Sequence, residues 1–255
     1  MIRYYRNRAE LSTLTPPPFL PCFGCNPMTR TISPFAEIRQ RAAERKGGDK
    51  ELAALVSEGI KPPDLLAEVD DSRYLSAMTC AVFKAGFVWQ IIDYKWAGFE
   101  QAFWHFNVLR CAMMSPDDFD TLCEDERIVR NSQKIRTVPL NATMILDVQK
   151  SHGSFGQFLA TWPQDDFVGL LEFLAKNGSR LGGNSGQHFL RAMGMDGFVL
   201  SRDGIAALIG VGVVDQPPKG KRAMKKVQEA YNQWRAESGW GYAQISRTLA
   251  MSVDS

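Results

Sequence analysis

The stretch LGGNSGQHFLRAMGMDGFVLSRD, residues 181–203, decides how this chain is read. It places a glycine cluster, a helix-length amphipathic run, a short apolar patch and a single acid in that order. Leu181 leads into a turn containing Gly182, Gly183 and Gly186, followed closely by FLRAMG. Such a turn between two helices lets backbone amides come close to a ligand, because glycine reaches positive φ and has no Cβ to obstruct the approach. Amides at the start of the second helix favour an anion, a phosphate being the natural candidate. The plainer reading is that Gly178, Gly182, Gly183 and Gly186 only end one helix and begin the next. What separates the two readings is the company the turn keeps.

Outward from this stretch the apolar spacing is helical almost everywhere, and the predicted class is all-α. SPFAEIRQRAAERKGG offers Ser33 as an N-cap, Pro34 at the first helical position and Gly47 as the stop. KELAALVSEGIKPPDLLAEV reads as two short helices broken at Pro62 and Pro63. DDSRYLSAMTCAVFKAGFVWQIIDYKW, residues 70–96, is apolar enough to form one long central helix packed on most sides. SPDDFDTL opens with a capping pattern, Ser115 before Asp118. Residues 151–166, with their glycines and Pro163, form the best internal lobe boundary. VGVV at 211–214 is a short strand or the close of a helix.

At 255 residues and 45% hydrophobic, the chain can bury a core as one large helical domain or two closely packed lobes. The formal net charge is only +2, but acids crowd residues 68–71 and 117–126 while residues 219–226 read KGKRAMKK. Such a basic run is either a solvated helix face or a polyanion contact. The five cysteines are odd in number and irregularly spaced, which fits a reducing compartment. Cys22 and Cys25 make a C-x-x-C with no second pair, and His105, His152 and His188 lie far along the chain, so no metal or other cofactor is expected. No apolar run approaches the roughly 20 residues that cross a membrane. Residues 1–27, rich in proline, are expected to be a disordered leader, with the folded domain at 28–255.

The 181–203 stretch resembles the helix-hairpin-helix plus acid signature of the helix-hairpin-helix DNA glycosylase superfamily, L-P-G-x-G, a helix, and an apolar patch ending in Asp. Leu181, Gly183 and Ser185 fall on its hairpin positions, and Asp203 on the acid. FKAGFVWQIIDYKWAGFEQAFWHFN, residues 83–107, is similar to the QAGLSW block of the DNA-3-methyladenine glycosylase I family. RIVRNSQKIRTVPLNA, residues 127–142, is similar to that family's GIIRHRGKI…NA block. The position four residues before the AG, acidic in the family, is Ala81, and the family's Cys and His zinc ligands have no counterpart.

The resemblance implies a two-lobed helical fold with its cleft between the lobes. It implies a glycosylase of base excision repair that flips a damaged, 3-methyladenine-like base out of double-stranded DNA and hydrolyses its N-glycosidic bond. Asp203 would be the catalytic carboxylate under the sugar cation. Its bland alternative is an N-cap for the helix that follows. Trp89 would be the stacking platform, with Phe87, Tyr94 and Trp96 as further pocket residues. Gly182, Gly183, Asn184, Ser185, Gly186, Gln187 and His188 would grip phosphate, helped by Lys84, Arg130 and Lys134, the last two spaced for one helical turn. The position where strand-cutting relatives carry a nucleophilic lysine is Gln187, so no lyase activity is expected. A monomer in the bacterial cytoplasm, associated with the nucleoid, is the expected state. The rival readings are a lesion-binding protein without catalysis, a glycosylase for another damaged base, and a helical interaction module.

Overall fold

The computed structural model describes residues 32–57 and 59–254, and among them every regular element is a helix. The leader expected at 1–27 and the Cys22–Cys25 pair lie outside the described residues.

Helix α1 (Phe35–Lys46) starts one residue later than Ser33 would cap it: Pro34 takes the cap position, and the Phe35 amide donates to Glu237 Oε2 at 2.8 Å. Gly47 ends it at φ 92°, as its place in the sequence predicts. Helices α2 (Asp49–Val56) and α3 (Pro63–Ala67) stand on either side of the Pro62–Pro63 break, with Pro63 opening α3. Further along, α6 (Val108–Ala112), α7 (Pro116–Glu124) and α8 (Ser132–Ile135) are short, and α7 carries the expected capping box between Ser115 and Asp118.

The single long helix expected over 70–96 is two helices, α4 (Asp71–Lys84) and α5 (Trp89–Ala102). Gly86, at φ 73°, turns the chain between them, and two fixed bonds explain why the break persists. The Lys134 ammonium, 5% exposed, donates to the carbonyls of Phe83 at 3.0 Å and Ala85 at 2.6 Å. A buried cation thus satisfies carbonyls that a continuous helix would have bonded itself, and it sits favourably at the negative end of α4.

Helix α9 (Thr137–His152) runs beneath α4 and α6. The looser stretch at 151–166 contains α10 (Phe155–Thr161), which packs on α3, α4 and α9. The boundary expected there is therefore bridged: one apolar core extends from Phe35 to Leu249, and the described residues form one compact unit. Its aromatic heart includes Tyr74, Phe155 and Phe189, drawn from three different helices. Helices α11 (Phe167–Asn177) and α12 (Asn184–Met193) flank the glycine turn, and α13 (Arg202–Gly210), α14 (Gly220–Ser238) and α15 (Tyr242–Met251) complete the chain. The 211–214 segment closes α13 through a turn at Gly212, φ 82°, rather than forming a strand.

Candidate active site

Three helices present helically spaced stripes to one cavity of about 840 Å³, within the range of small-molecule sites. From α4 come Arg73, Ser76, Ala77, Cys80, Ala81 and Lys84, from α5 Trp89, Asp93 and Trp96, and from α12 Asn184, Ser185, His188 and Arg191. Gly86, in the bend between α4 and α5, lies at the rim. The break that the sequence concealed is thus what opens the site. A continuous helix would carry residues 85–88 straight past it.

Trp89 is the first residue of α5 and half exposed. Its ring meets His188 edge-on at 5.3 Å, and Lys84 Nζ lies 5.3 Å from its centroid. Trp96 forms a floor instead, stacked on Phe99 at 5.0 Å and on Phe106 at 5.7 Å. Lys84 pairs with Asp93 at 2.6 Å. Arg73 makes a fork to Glu100, whose carboxylate also accepts from Ser76 at 2.8 Å. Burial pushes the Glu100 carboxyl up, but the bonds from Arg73 and Ser76 outweigh it and hold the group below its ordinary value. Burial, and then the nearby Arg191, lower the His188 pKa, favouring a neutral ring at pH 7. Arg191 is pushed down to about 10, chiefly by burial, and its Nη2 donates to the Gly197 carbonyl at 2.8 Å.

The glycine turn stands at the edge of this cavity. Gly183 caps α12 at φ 59° with no capping side chain, and Gly182, Gly183 and Asn184 are exposed. Uncapped helix amides of this kind are the expected setting for an anion. Ser185 is half-buried on the cavity wall. Gly186 has a packing reason for its identity: an added Cβ would lie 2.3 Å from the Leu181 carbonyl oxygen.

Several expected site residues are placed elsewhere. Asp203, half-buried in the first turn of α13, is not among the residues lining the cavity with Trp89. Nor does it cap that helix, since Ser201 holds the cap by accepting from the Gly204 amide. Tyr94 is 89% exposed and off the cavity wall, because its position on α5 is rotated away from the face carrying Trp89, Asp93 and Trp96. Phe87 lies outside the lining, with Lys134 Nζ 4.1 Å above its ring. Lys134 itself cannot meet a phosphate, being buried and committed to backbone carbonyls. Arg130 precedes α8 and pairs weakly with Glu126 at 3.7 Å, so it does not share a helical turn with Lys134. Gln187 is buried, its Oε1 accepting from the Leu200 amide at 2.6 Å, and so is Gly186; neither reaches DNA from the surface. His188 faces the Trp89 ring on the cavity wall. Among the lining residues that sequence reasoning missed, Arg73, Ser76, Cys80 and Arg191 included, Asp93 had a visible signal: it lies four positions after Trp89, on one helix face.

Residues 66–168 match the methyladenine glycosylase family, a segment running from α3 into α11. The chain resembles that family. The match covers both walls built by α4 and α5, whereas the glycine turn and Asp203 lie beyond it. Among solved structures, the 8-oxoguanine glycosylase/lyase of Methanocaldococcus jannaschii, in complex with a 15mer DNA containing 8-oxoguanine, is similar at 15% identity and a TM-score of 0.53, covering 84% of this chain and 95% of that one. A second structure of an 8-oxoguanine DNA glycosylase from that organism is similar at 14% identity and a TM-score of 0.51, covering 84% and 92%. The 3-methyladenine DNA glycosylase I of Staphylococcus aureus is 22% identical with a TM-score of 0.45, covering 62% and 91%. This methyladenine-glycosylase-like chain therefore has the all-helical glycosylase fold. No helix among its described residues is long and apolar enough to cross a membrane.

Proposed function

We propose that the chain is a DNA N-glycosylase that takes a flipped, damaged base into the cavity between α4, α5 and α12 and leaves an abasic site. The observation that carries this reading is the half-exposed indole of Trp89 on the wall of the cavity, with exposed apolar side chains close to it in the chain. Phe87 and Val88, which follow Gly86, and Ile91 on α5 are all exposed. Exposed apolar groups of this kind suit insertion into a base stack, and a ring at the cavity mouth suits stacking of an extruded base. The uncapped start of α12 supplies a place for backbone phosphate. Gln187, buried and bonded to Leu200, supports hydrolysis without strand cleavage, since no amine stands at that position.

The alkylated base comes with the resemblance alone. The test is incubation of the purified protein with duplexes that each carry one lesion, scoring free base and alkali-labile sites. Base release with strands intact before alkali is the expected result. Tight lesion binding without release from any duplex would instead support a binding protein without catalysis, a reading favoured by Ala81 on the cavity wall where the family carries an acid. Absence of any salt-dependent DNA affinity overturns both.

A further inference from the structure

Among the described residues lining the cavity, Asp93 is the only carboxylate and Lys84 the only primary amine. The two are in contact at 2.6 Å, one from each side of the bend. Asp93 stands one turn beyond Trp89 on the same face of α5, and its side chain is 58% exposed, so water reaches it. A purely structural purpose accounts poorly for the pair: exposed ion pairs stabilise little, and the bend is already held by Lys134.

Resting on the glycosylase reading above, we propose that Lys84 and Asp93 are the acid–base couple of this site and that the base they release is electrically neutral. Asp93 accepts a proton from the water that attacks C1′ as the C1′–N bond breaks, and its charge stabilises the sugar cation. The departing base takes the electron pair of that bond together with a proton from the Lys84 ammonium. The proton on Asp93 then passes back to the Lys84 amine across their contact. The net change is water added across the glycosidic bond, with both side chains restored.

The charge arrangement supports a neutral base. A base N-alkylated to a cation leaves without needing a proton, and it would have to lie on Trp89 beside the Lys84 ammonium already placed over that ring. A neutral base with a carbonyl oxygen meets the same ammonium as a hydrogen-bond donor.

The test is single-turnover base release from duplexes bearing 8-oxoguanine, hypoxanthine or uracil, against 3-methyladenine and 7-methylguanine. It uses wild type, Asp93→Asn, Lys84→Met and Lys84→Arg. The expected result is release of at least one neutral base, with Asp93→Asn and Lys84→Met slower by about 10²–10⁴-fold. Lys84→Arg keeps the charge but holds its proton too tightly, so it falls with Lys84→Met, whereas a merely structural pair would be rescued by arginine. Affinity for duplex containing an abasic-site analogue, and thermal midpoint, stay near wild type in all three. An active wild type that releases only cationic bases, or whose rate survives Asp93→Asn, overturns the couple while leaving the glycosylase reading intact. A wild type that releases no base from any duplex overturns both.

Discussion

Lys134 ends helix α4 from a distance: its ammonium donates to the carbonyl of Ala85 at 2.6 Å, across 49 residues of chain. The second bond, to Phe83, and the ring of Phe87 above it complete the enclosure. Replacing it with methionine removes both donors and leaves two buried or half-buried carbonyls unpaired, at about 1–3 kcal/mol for each group left unsatisfied. Lys134→Met is expected to lower stability toward denaturant and to loosen the 85–88 bend. An unfolding midpoint equal to wild type would show that the bend is held by something else.

Trp89 and Tyr94 make a matched pair of controls on α5. Trp89 is half exposed on the cavity wall, and Tyr94 is nearly fully exposed away from it. Truncating Trp89 to alanine should weaken binding of lesion-bearing DNA by about 1–3 kcal/mol, the usual contribution of one base stacked on an aromatic ring. Tyr94→Ala should leave affinity unchanged. Fluorescence anisotropy at fixed salt measures both, and equal losses in the two variants would remove Trp89 from the base site.

The helical class was legible from spacing alone, as was the capping box at Ser115, because both are properties of neighbouring residues. The division of residues 70–96 was not. Nothing local forbids a helix through Lys84-Ala85-Gly86-Phe87 except one glycine, and the group that ends it comes from Lys134, distant in the chain. Asp203 differs for a related reason: an acid after an apolar patch fits the resemblance, but which cavity it faces depends on how α13 packs, and it does not line the one with Trp89. Trp89 was readable as a candidate because the blocks around it carry the resemblance, and it does line the cavity.

His188 gives the site a pH dependence of defined sign. Burial and Arg191 lower its pKa from the ordinary 6.5, so the unfolded chain binds this proton more readily than the folded one. Its contribution to stability is complete above pH 6.5 and is lost as pH falls through the lowered value. Thermal midpoints measured between pH 8 and 5 should decline less steeply for His188→Gln than for wild type. Parallel curves would mean that the ring is solvated in both states.

The glycine turn makes a two-position prediction. At Gly186 an added methyl meets the Leu181 carbonyl, a backbone atom that cannot step aside, so Gly186→Ala should destabilise the protein and disorder the start of α12. At Gly183 there is open space, and the penalty of Gly183→Ala comes only from its positive φ. Gly186→Ala is therefore expected to be the less stable of the two by differential scanning calorimetry. The reverse order would mean that conformational strain at the turn outweighs the collision.

Gln187 offers a test of why this chain should hydrolyse without cutting the strand. Placing a lysine there, as in Gln187→Lys, does not simply install a nucleophile, because the side chain is buried and its Oε1 is the acceptor for the Leu200 amide. The ammonium cannot accept that bond, so the Leu200 amide loses its partner and a charge is left in an apolar setting. The expected outcome is a less stable protein that gives no covalent adduct on borohydride reduction with lesion DNA. A trapped adduct at wild-type stability would show that position 187 reaches the sugar after all, and would place the reacting carbon on the glycine-turn side of the cavity.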